Sequence, residues 1–410
     1  MITNDAVVLG LLFSILVFVF STSESNSVFY KKFYTFFPPL LLCYFLPAWL
    51  NYIGIIDKNQ SALYDIAKNY FLPASLILFC MCIDVKAVLG LGKKSIIMFF
   101  TSAIGVMIGG PIALYICKLL MPDLFTVYGE DLWKGLSTIA GSWIGGAPNQ
   151  TAMKEIYHVP ENIFATMLII DVVVAYIWMA LLLYGANHAK IIDNWLGADS
   201  SSIEELKQKS ILYRSKTERI ASTNDLVILF SIVFVGVGLS HYLGERIIPL
   251  FMNIKDFLVD IKMSSLLSPF FWVVVISTTI GLSLSFTKAR SYEGIGASKF
   301  GTIFIYLLVC TLGMQIDLSQ IFHSGSLFLL GFIWLLIHIV ILFIVASIIK
   351  APFFFVAVGS QACIGGPASA PVVASAFEVS LAPVGVILAV LGYAIGTYGA
   401  IVCAQLMSLI

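Results

Sequence analysis

Long apolar runs separated by short polar breaks set the rhythm of this chain. An apolar run of roughly 17–25 residues can cross a bilayer as a helix. Runs near that length lie at 6–20, 37–56, 69–85, 95–119, 162–186, 226–244, 266–285, 300–316, 326–349 and 381–408, and each predicts a membrane span. Two further segments, 133–157 and 351–377, are apolar but rich in Gly, Ala, Ser and Pro, with polar residues beside a central break. One stretch, about 187–225, is polar for long enough to be aqueous and divides the chain almost in half.

The two halves repeat. TNDAVVL at 3–9 matches TNDLVIL at 223–229, and IGG at 144–146 matches IGG at 364–366, both at an offset of 220. Between them, MCID at 81–84 matches MQID at 314–317 at an offset of 233. Residues 1–187 and 225–410 are therefore expected to be duplicated units joined by a linker at 188–224. A signal peptide at the N-terminus is not expected, because no basic stretch precedes residues 6–20 and no small-residue cleavage site follows them.

Charge sets the expected orientation. Lys and Arg gather in cytoplasmic loops. Placing Lys31, Lys32, Lys86, Lys93, Lys94, the linker, residues 287–299 and Lys350 inside puts 15 of the 23 basic residues there. Both termini and the acidic YGEDLW loop then lie outside. The scheme works only if 133–157 and 351–377 leave on the side they enter. Each half then has five spans and one re-entrant or broken helix, and the odd number inverts the second half. The expected class is an all-α polytopic membrane protein made of two inverted repeats, in a bacterial inner membrane. Arg246, Lys255 and Lys262 fall on the wrong side of this scheme.

Composition agrees. Of 410 residues, 60% are hydrophobic and 11% charged, with a mean hydropathy of +0.98; soluble domains carry about 25% charged residues. Net charge is zero, so nothing points to nucleic acid. The seven cysteines lie in apolar stretches at no metal-ligand spacing, and read as small core-filling thiols. No metal is expected beyond Na⁺. Walker, HExxH and GxSxG patterns are absent, which argues against an ATP-driven pump or a familiar hydrolase.

The chemistry is expected at the hexapeptides IGGAPN (144–149) and IGGPAS (364–369). Paired glycines permit a sharp turn, and proline suits the first turn of a new half-helix. Asn149 and Ser369 stand where an N-capping side chain would be. Two half-helix N-termini meeting near mid-membrane would favour an anionic, carboxylate-bearing solute. The plainer alternative is tight helix packing through small residues. The candidate substrate-binding set is Gly145, Gly146, Asn149, Gln150, Thr151, Gln361, Gly365, Gly366 and Ser369.

The pairing of IGGAPNQTA with IGGPASAPVVA in two hydrophobic halves resembles the YjcL-like family of bacterial membrane proteins of unknown function. That family looks related to the superfamily of cation:proton antiporters and of bile-acid, glutamate:sodium and 2-hydroxycarboxylate symporters. In the last group the GGxG tips of two re-entrant loops meet at the substrate site. The resemblance implies tips at Gly145–Gly146 and Gly365–Gly366, although neither hexapeptide has the third glycine. It also implies a homodimer and an elevator-like or rocking movement.

Asp171 lies inside a span, where a carboxylate is expensive and marks a functional hypothesis. With Ser142 and Ser360 it forms the candidate ion-coupling set; the alternative is a buried Asp satisfied by neighbours. Asp84 and Asp317 are equivalent by repeat and read as helix caps or ion ligands. His338 reads as a core histidine with one partner, and His158 and Glu378 as interfacial. Trp49, Tyr52, Tyr128 and Trp133 fit aromatic belts. The expected function is secondary active transport of a small polar, carboxylate-bearing solute coupled to Na⁺ or H⁺. The alternatives are an intramembrane enzyme using Asp171 or His338, and a channel or receptor.

Overall fold

The computed structural model describes residues 2–37, 39–57, 61–198, 203, 220–260, 263–315, 325–378 and 381–410. Asp317 and most of the linker lie outside them. The chain is an all-α polytopic membrane protein. Among the described residues, seven helices are long and apolar enough to cross a bilayer, and extended pairing is limited to a bridge between Ile2 and Ile56.

In the first half come α1 (Asp5–Ser23), α2 (Pro39–Tyr52), α3 (Leu63–Ile66), which runs through a π turn (Ala67–Phe71) into α4 (Leu72–Met81), then α5 (Lys93–Leu120), α6 (Asp131–Ile156), α7 (Glu161–Asn187) and the short α8 (Ala189–Leu196). After the linker come α9 (Thr223–Met252), α10 (Pro269–Ser285), α11 (Ala297–Gln315), α12 (Gly325–Ile349), α13 (Phe353–Ile364), α14 (Gly366–Phe377) and α15 (Ala382–Ser408). Capping follows the repeated TND motif only in part. Asn4 caps α1 by accepting from Ala6 and Val7, whereas Ser222 caps α9 in a box with Asp225.

The helices sort into two bundles. In one, α2 packs on α11, α4 on α10, and α1 and α9 flank them. In the other, α5 crosses α12, and α6, α7, α13, α14 and α15 pack around that pair. Contacts between the bundles run mainly through α15 against α4 and α10. In lipid, close backbone approach rather than hydrophobic exclusion holds helices together, so glycines sit at the crossings. At the α5–α12 crossing, Gly109 and Gly110 lie under the Trp334 indole, which donates to the Val106 carbonyl at 2.9 Å.

Segments 133–157 and 351–377 fold back on themselves. Trp133 and Tyr157 stack edge-on at 5.2 Å between ring centroids, although a continuous helix would hold them about 36 Å apart. Phe353 and Phe377 meet at 5.9 Å, and Phe354 and Phe377 at 5.3 Å. The two aromatic pairs, 133/157 and 353/377, differ by the same 220 residues as the hexapeptides. Both segments are therefore helical hairpins whose ends share one face, as the charge pattern required.

The hairpins open toward opposite ends of α5. Near the C-terminal end of α5, Leu114, Trp133 and Ile410 line one cleft, and Lys118 donates to the Ile410 carbonyl. At its N-terminal end, Lys94 donates to the Lys350 carbonyl at 2.9 Å, three residues before the helix that begins the second hairpin. The N-terminus is tied to the same side as the first hairpin. Asp5 accepts from Ser61 at 2.8 Å, and Tyr64, just beyond, reaches Glu155.

Candidate functional site

Each hairpin turns at the second glycine of its hexapeptide. Gly146 has φ 71° and ψ −171°, a region open almost only to glycine, and Gly366 has φ 62°. The arms of the first hairpin then press together so closely that a β-carbon at Gly141 would stand 2.6 Å from the Asn149 carbonyl oxygen. Together with Gly145, whose β-carbon would clash with the Asn149 amide, this absent side chain lets the second arm return alongside the first.

The tips converge on α15. A β-carbon at Gly392 would stand 2.9 Å from the Ile144 carbonyl and 3.6 Å from the Ala362 carbonyl, so both hairpins touch the same turn of α15. A β-carbon at Gly399 would lie 3.2 Å from Ile144 and 3.3 Å from Met107, and Met107 is close to the middle of the 28-residue α5. The tips therefore meet halfway between the two faces. Gly146 and Ala147 are partly exposed while residues 135–145 and 148–156 are buried, so open space reaches the first tip. At the second, Gly365, Pro367 and Ser369 are also partly exposed, and a β-carbon at Gly366 would meet nothing within 4 Å.

Asn149 and Ser369 are not N-caps. Each sits within the first turn after its glycine and points elsewhere. Asn149 is fully buried, donating to the carbonyls of Gly145 at 2.8 Å and Tyr393 at 3.2 Å and accepting from Thr397 at 2.6 Å. Ser369 accepts from Gln361 Nε2 at 2.8 Å, a bond between the arms of the second hairpin. The second arm of each hairpin follows a positive-φ glycine, Gly146 or Gly366, and α14 starts without a side-chain cap.

Asp171 meets the first hairpin near its tip. Oδ1 accepts from the Trp143 indole at 2.7 Å and Oδ2 from Gln150 Nε2 at 2.9 Å, with the Ser142 hydroxyl beside them. Gln150 Oε1 and Gln361 Oε1 are both buried with no hydrogen-bond partner, one in each hairpin. Ser360 belongs to a different cluster: Trp178 Nε1 donates to its hydroxyl at 2.8 Å, and His338 Nε2 lies 2.8 Å away. His338 is thus a core histidine whose one side-chain partner is Ser360. Thr151 bonds back to the Ala147 carbonyl at 3.0 Å and, like Asn149 and Gln150, is fully buried. Asp84 caps the following helix through Ala87 and pairs with Arg290 at 2.7 Å.

Two features escaped the sequence reading. The glycines of α15 at 385, 392, 396 and 399 seat both hairpins, and GYAIG at 392–396 was a visible small-xxx-small signal. The dipeptide Lys154–Glu155, on the second arm of the first hairpin, is buried with both residues 4% exposed. Adjacent opposite charges inside an apolar segment were the signal.

Opposed hairpins meeting at the centre of a helical bundle define a multi-pass membrane protein with an internal polar site. The chain belongs to a family of proteins of unknown function (DUF819), whose model matches residues 10–410. It is also similar to the uncharacterized membrane protein YjcL of Bacillus subtilis (strain 168), at 23% identity over 361 residues covering 84% of each chain.

Proposed function

We propose that this protein is a secondary active transporter, moving a small polar, carboxylate-bearing solute across the bacterial inner membrane, coupled to Na⁺ or H⁺. The observation that carries this reading is the meeting of both Gly-broken tips on Gly392 of α15, two turns from Gly399, which packs against Met107 near the middle of α5. Irregular backbone at that depth is tolerated where protein buries it or where it lines a wet cavity. Here both tips keep partly exposed residues, Gly146 and Ala147 in one and Gly365, Pro367 and Ser369 in the other.

The halves read as inverted repeats. Helix α2 packs on α11 and α4 on α10, an exchange of partners that a two-fold axis in the membrane plane would produce. The two bundles supply elements that can move against each other, as in the symporter superfamily the hexapeptides resemble. Asp171 is the candidate coupling residue. Both its oxygens are engaged by donors on the hairpin, which suits reporting on the tip better than intramembrane catalysis. Both termini are assigned to the outside, and a homodimer remains part of the reading.

Purified protein in proteoliposomes tests it. Uptake of an organic acid that follows an imposed Na⁺ or H⁺ gradient is expected. Uptake indifferent to collapse of every gradient would make the protein a channel. If Asn149→Ala and Ser369→Ala both leave ligand-induced thermal stabilisation unchanged, the tips are not the site.

A further inference from the structure

A cluster of charge joins the two bundles at the base of the first hairpin, with Lys154 and Glu155 buried and Lys68, Tyr64 and Glu161 partly exposed. Lys154 donates to the Tyr64 hydroxyl at 2.7 Å, to Glu155 at 3.0 Å and to Glu161 at 2.8 Å. Glu155 also pairs with Lys68 at 2.5 Å and accepts from Tyr64. The Lys154 ammonium lies 5.0 Å from the Tyr64 ring centroid. Lys154, Glu155 and Glu161 belong to α6 and α7 in the hairpin bundle, whereas Tyr64 and Lys68 belong to α3 and the π turn of the other. Two lysines balance two glutamates, so the cluster is neutral as a set and charged once divided.

That division gives the cluster its consequence. Buried ions are tolerated when paired, and parting them leaves uncompensated charge in a poorly solvated place. Any movement that separates α6 from α3 must break the Lys68–Glu155, Tyr64–Glu155 and Tyr64–Lys154 contacts together. Lys68 sits within the π turn Ala67–Phe71, an irregularity common at functional sites and easier to reshape than a regular helix. The second hairpin is held differently: Asp193 accepts from the Phe353 N–H at 2.7 Å and Lys94 donates to the Lys350 carbonyl, contacts that stay with its own bundle.

We propose that Tyr64, Lys68, Lys154 and Glu155 form a lock that holds the two bundles together on the face where the first hairpin opens, and that parts when the bundles move. This rests on the reading that the bundles move relative to each other. Hydrogen exchange of the full-length protein in lipid nanodiscs tests it without a substrate. Lys68→Met and Glu155→Gln should each speed exchange about tenfold in both 63–71 and 147–156, while 353–364 keeps its rate. The double variant should be no faster than either single one, because both remove the same contact. Tyr64→Phe, which loses only a hydroxyl, should give a smaller change of the same pattern.

Unchanged exchange in 63–71 and 147–156 would overturn the lock. So would equal acceleration in 353–364, which would mean general loosening, or a double variant whose effect is the product of the single ones. Flux separates the two readings. Gradient-driven uptake with unchanged exchange sinks the lock alone. Selective acceleration in a protein that transports none of the solutes tried leaves the lock standing and counts against transport.

Discussion

Thr397 donates a 2.6 Å hydrogen bond to the amide oxygen of Asn149, fastening the first hairpin tip to α15. The Thr397 hydroxyl also lies 3.1 Å from that of Thr278 on α10, so the contact continues into the other bundle. Asn149 spends its amide nitrogen on the carbonyls of Gly145 and Tyr393. An aspartate there would set a carboxylate against two carbonyl oxygens. Asn149→Asp is expected to cost about 3 kcal/mol, more than Asn149→Ser. Thermal unfolding of the two variants in detergent checks the order, and an aspartate variant as stable as the serine variant would refute the assignment.

The glycines of the first hairpin serve different ends, so alanine should separate them. At Gly146 the penalty comes from the backbone, about 2 kcal/mol for a residue forced to φ 71° and ψ −171°. At Gly141 it is steric, because the new methyl would stand 2.6 Å from the Asn149 carbonyl in the opposing arm. Gly141→Ala should therefore loosen the whole hairpin. Protease or hydrogen-exchange protection of 147–156 should fall further in Gly141→Ala than in Gly146→Ala. Equal protection in the two variants would mean that the arms are not held by this contact.

Much of this was legible in the chain because lipid restricts the options. Among the described residues, seven of the ten expected spans became helices long enough to cross a bilayer, while 37–56, 69–85 and 266–285 hold the shorter α2, α4 and α10; the hairpins followed from two Gly-Gly-Pro-type breaks 220 residues apart. The predicted first span at 6–20 became α1 at Asp5–Ser23, and 133–157 became α6 at Asp131–Ile156. Roles of single polar residues were harder to read. Asn149 looked like a cap from its place in the hexapeptide, yet its partners Tyr393 and Thr397 lie about 245 residues away. Ser360 flanks the second hexapeptide in sequence and was grouped with Asp171 and Ser142, while packing gave it to Trp178 and His338. Local sequence announces a break in a helix, but only tertiary packing decides where a polar side chain beside it turns.

Ser360 stands between two ring nitrogens, and removing its hydroxyl leaves both without that partner. Trp178 Nε1–H and His338 Nε2 are buried, and each reaches Ser360 at 2.8 Å. Ser360→Ala is expected to destabilise by about 2 kcal/mol, within the range for stranding a buried polar group. Ser360→Thr keeps the hydroxyl and should recover part of the loss. The near-ultraviolet circular dichroism of the tryptophans should change in the alanine variant and return toward the original in the threonine one.

Asp171→Asn tests coupling apart from folding, because the neighbouring amide can adapt. Gln150 now donates to Asp171 through Nε2 while its Oε1 is buried without a partner. An asparagine at 171 keeps an oxygen for the Trp143 indole and presents an NH₂ group toward Gln150. Rotating the Gln150 amide by a half turn would then offer Oε1 as the acceptor, so both groups stay bonded. Asp171→Asn should therefore unfold within a few degrees of the original protein, whereas Asp171→Leu, which strands Trp143 and Gln150 together, should lose about 2–4 kcal/mol. If the carboxylate carries the coupling, Asp171→Asn should retain solute-induced stabilisation while uptake loses its response to the imposed ion gradient. A folded Asp171→Asn protein that still follows the gradient would remove Asp171 from coupling and leave it a purely structural carboxylate.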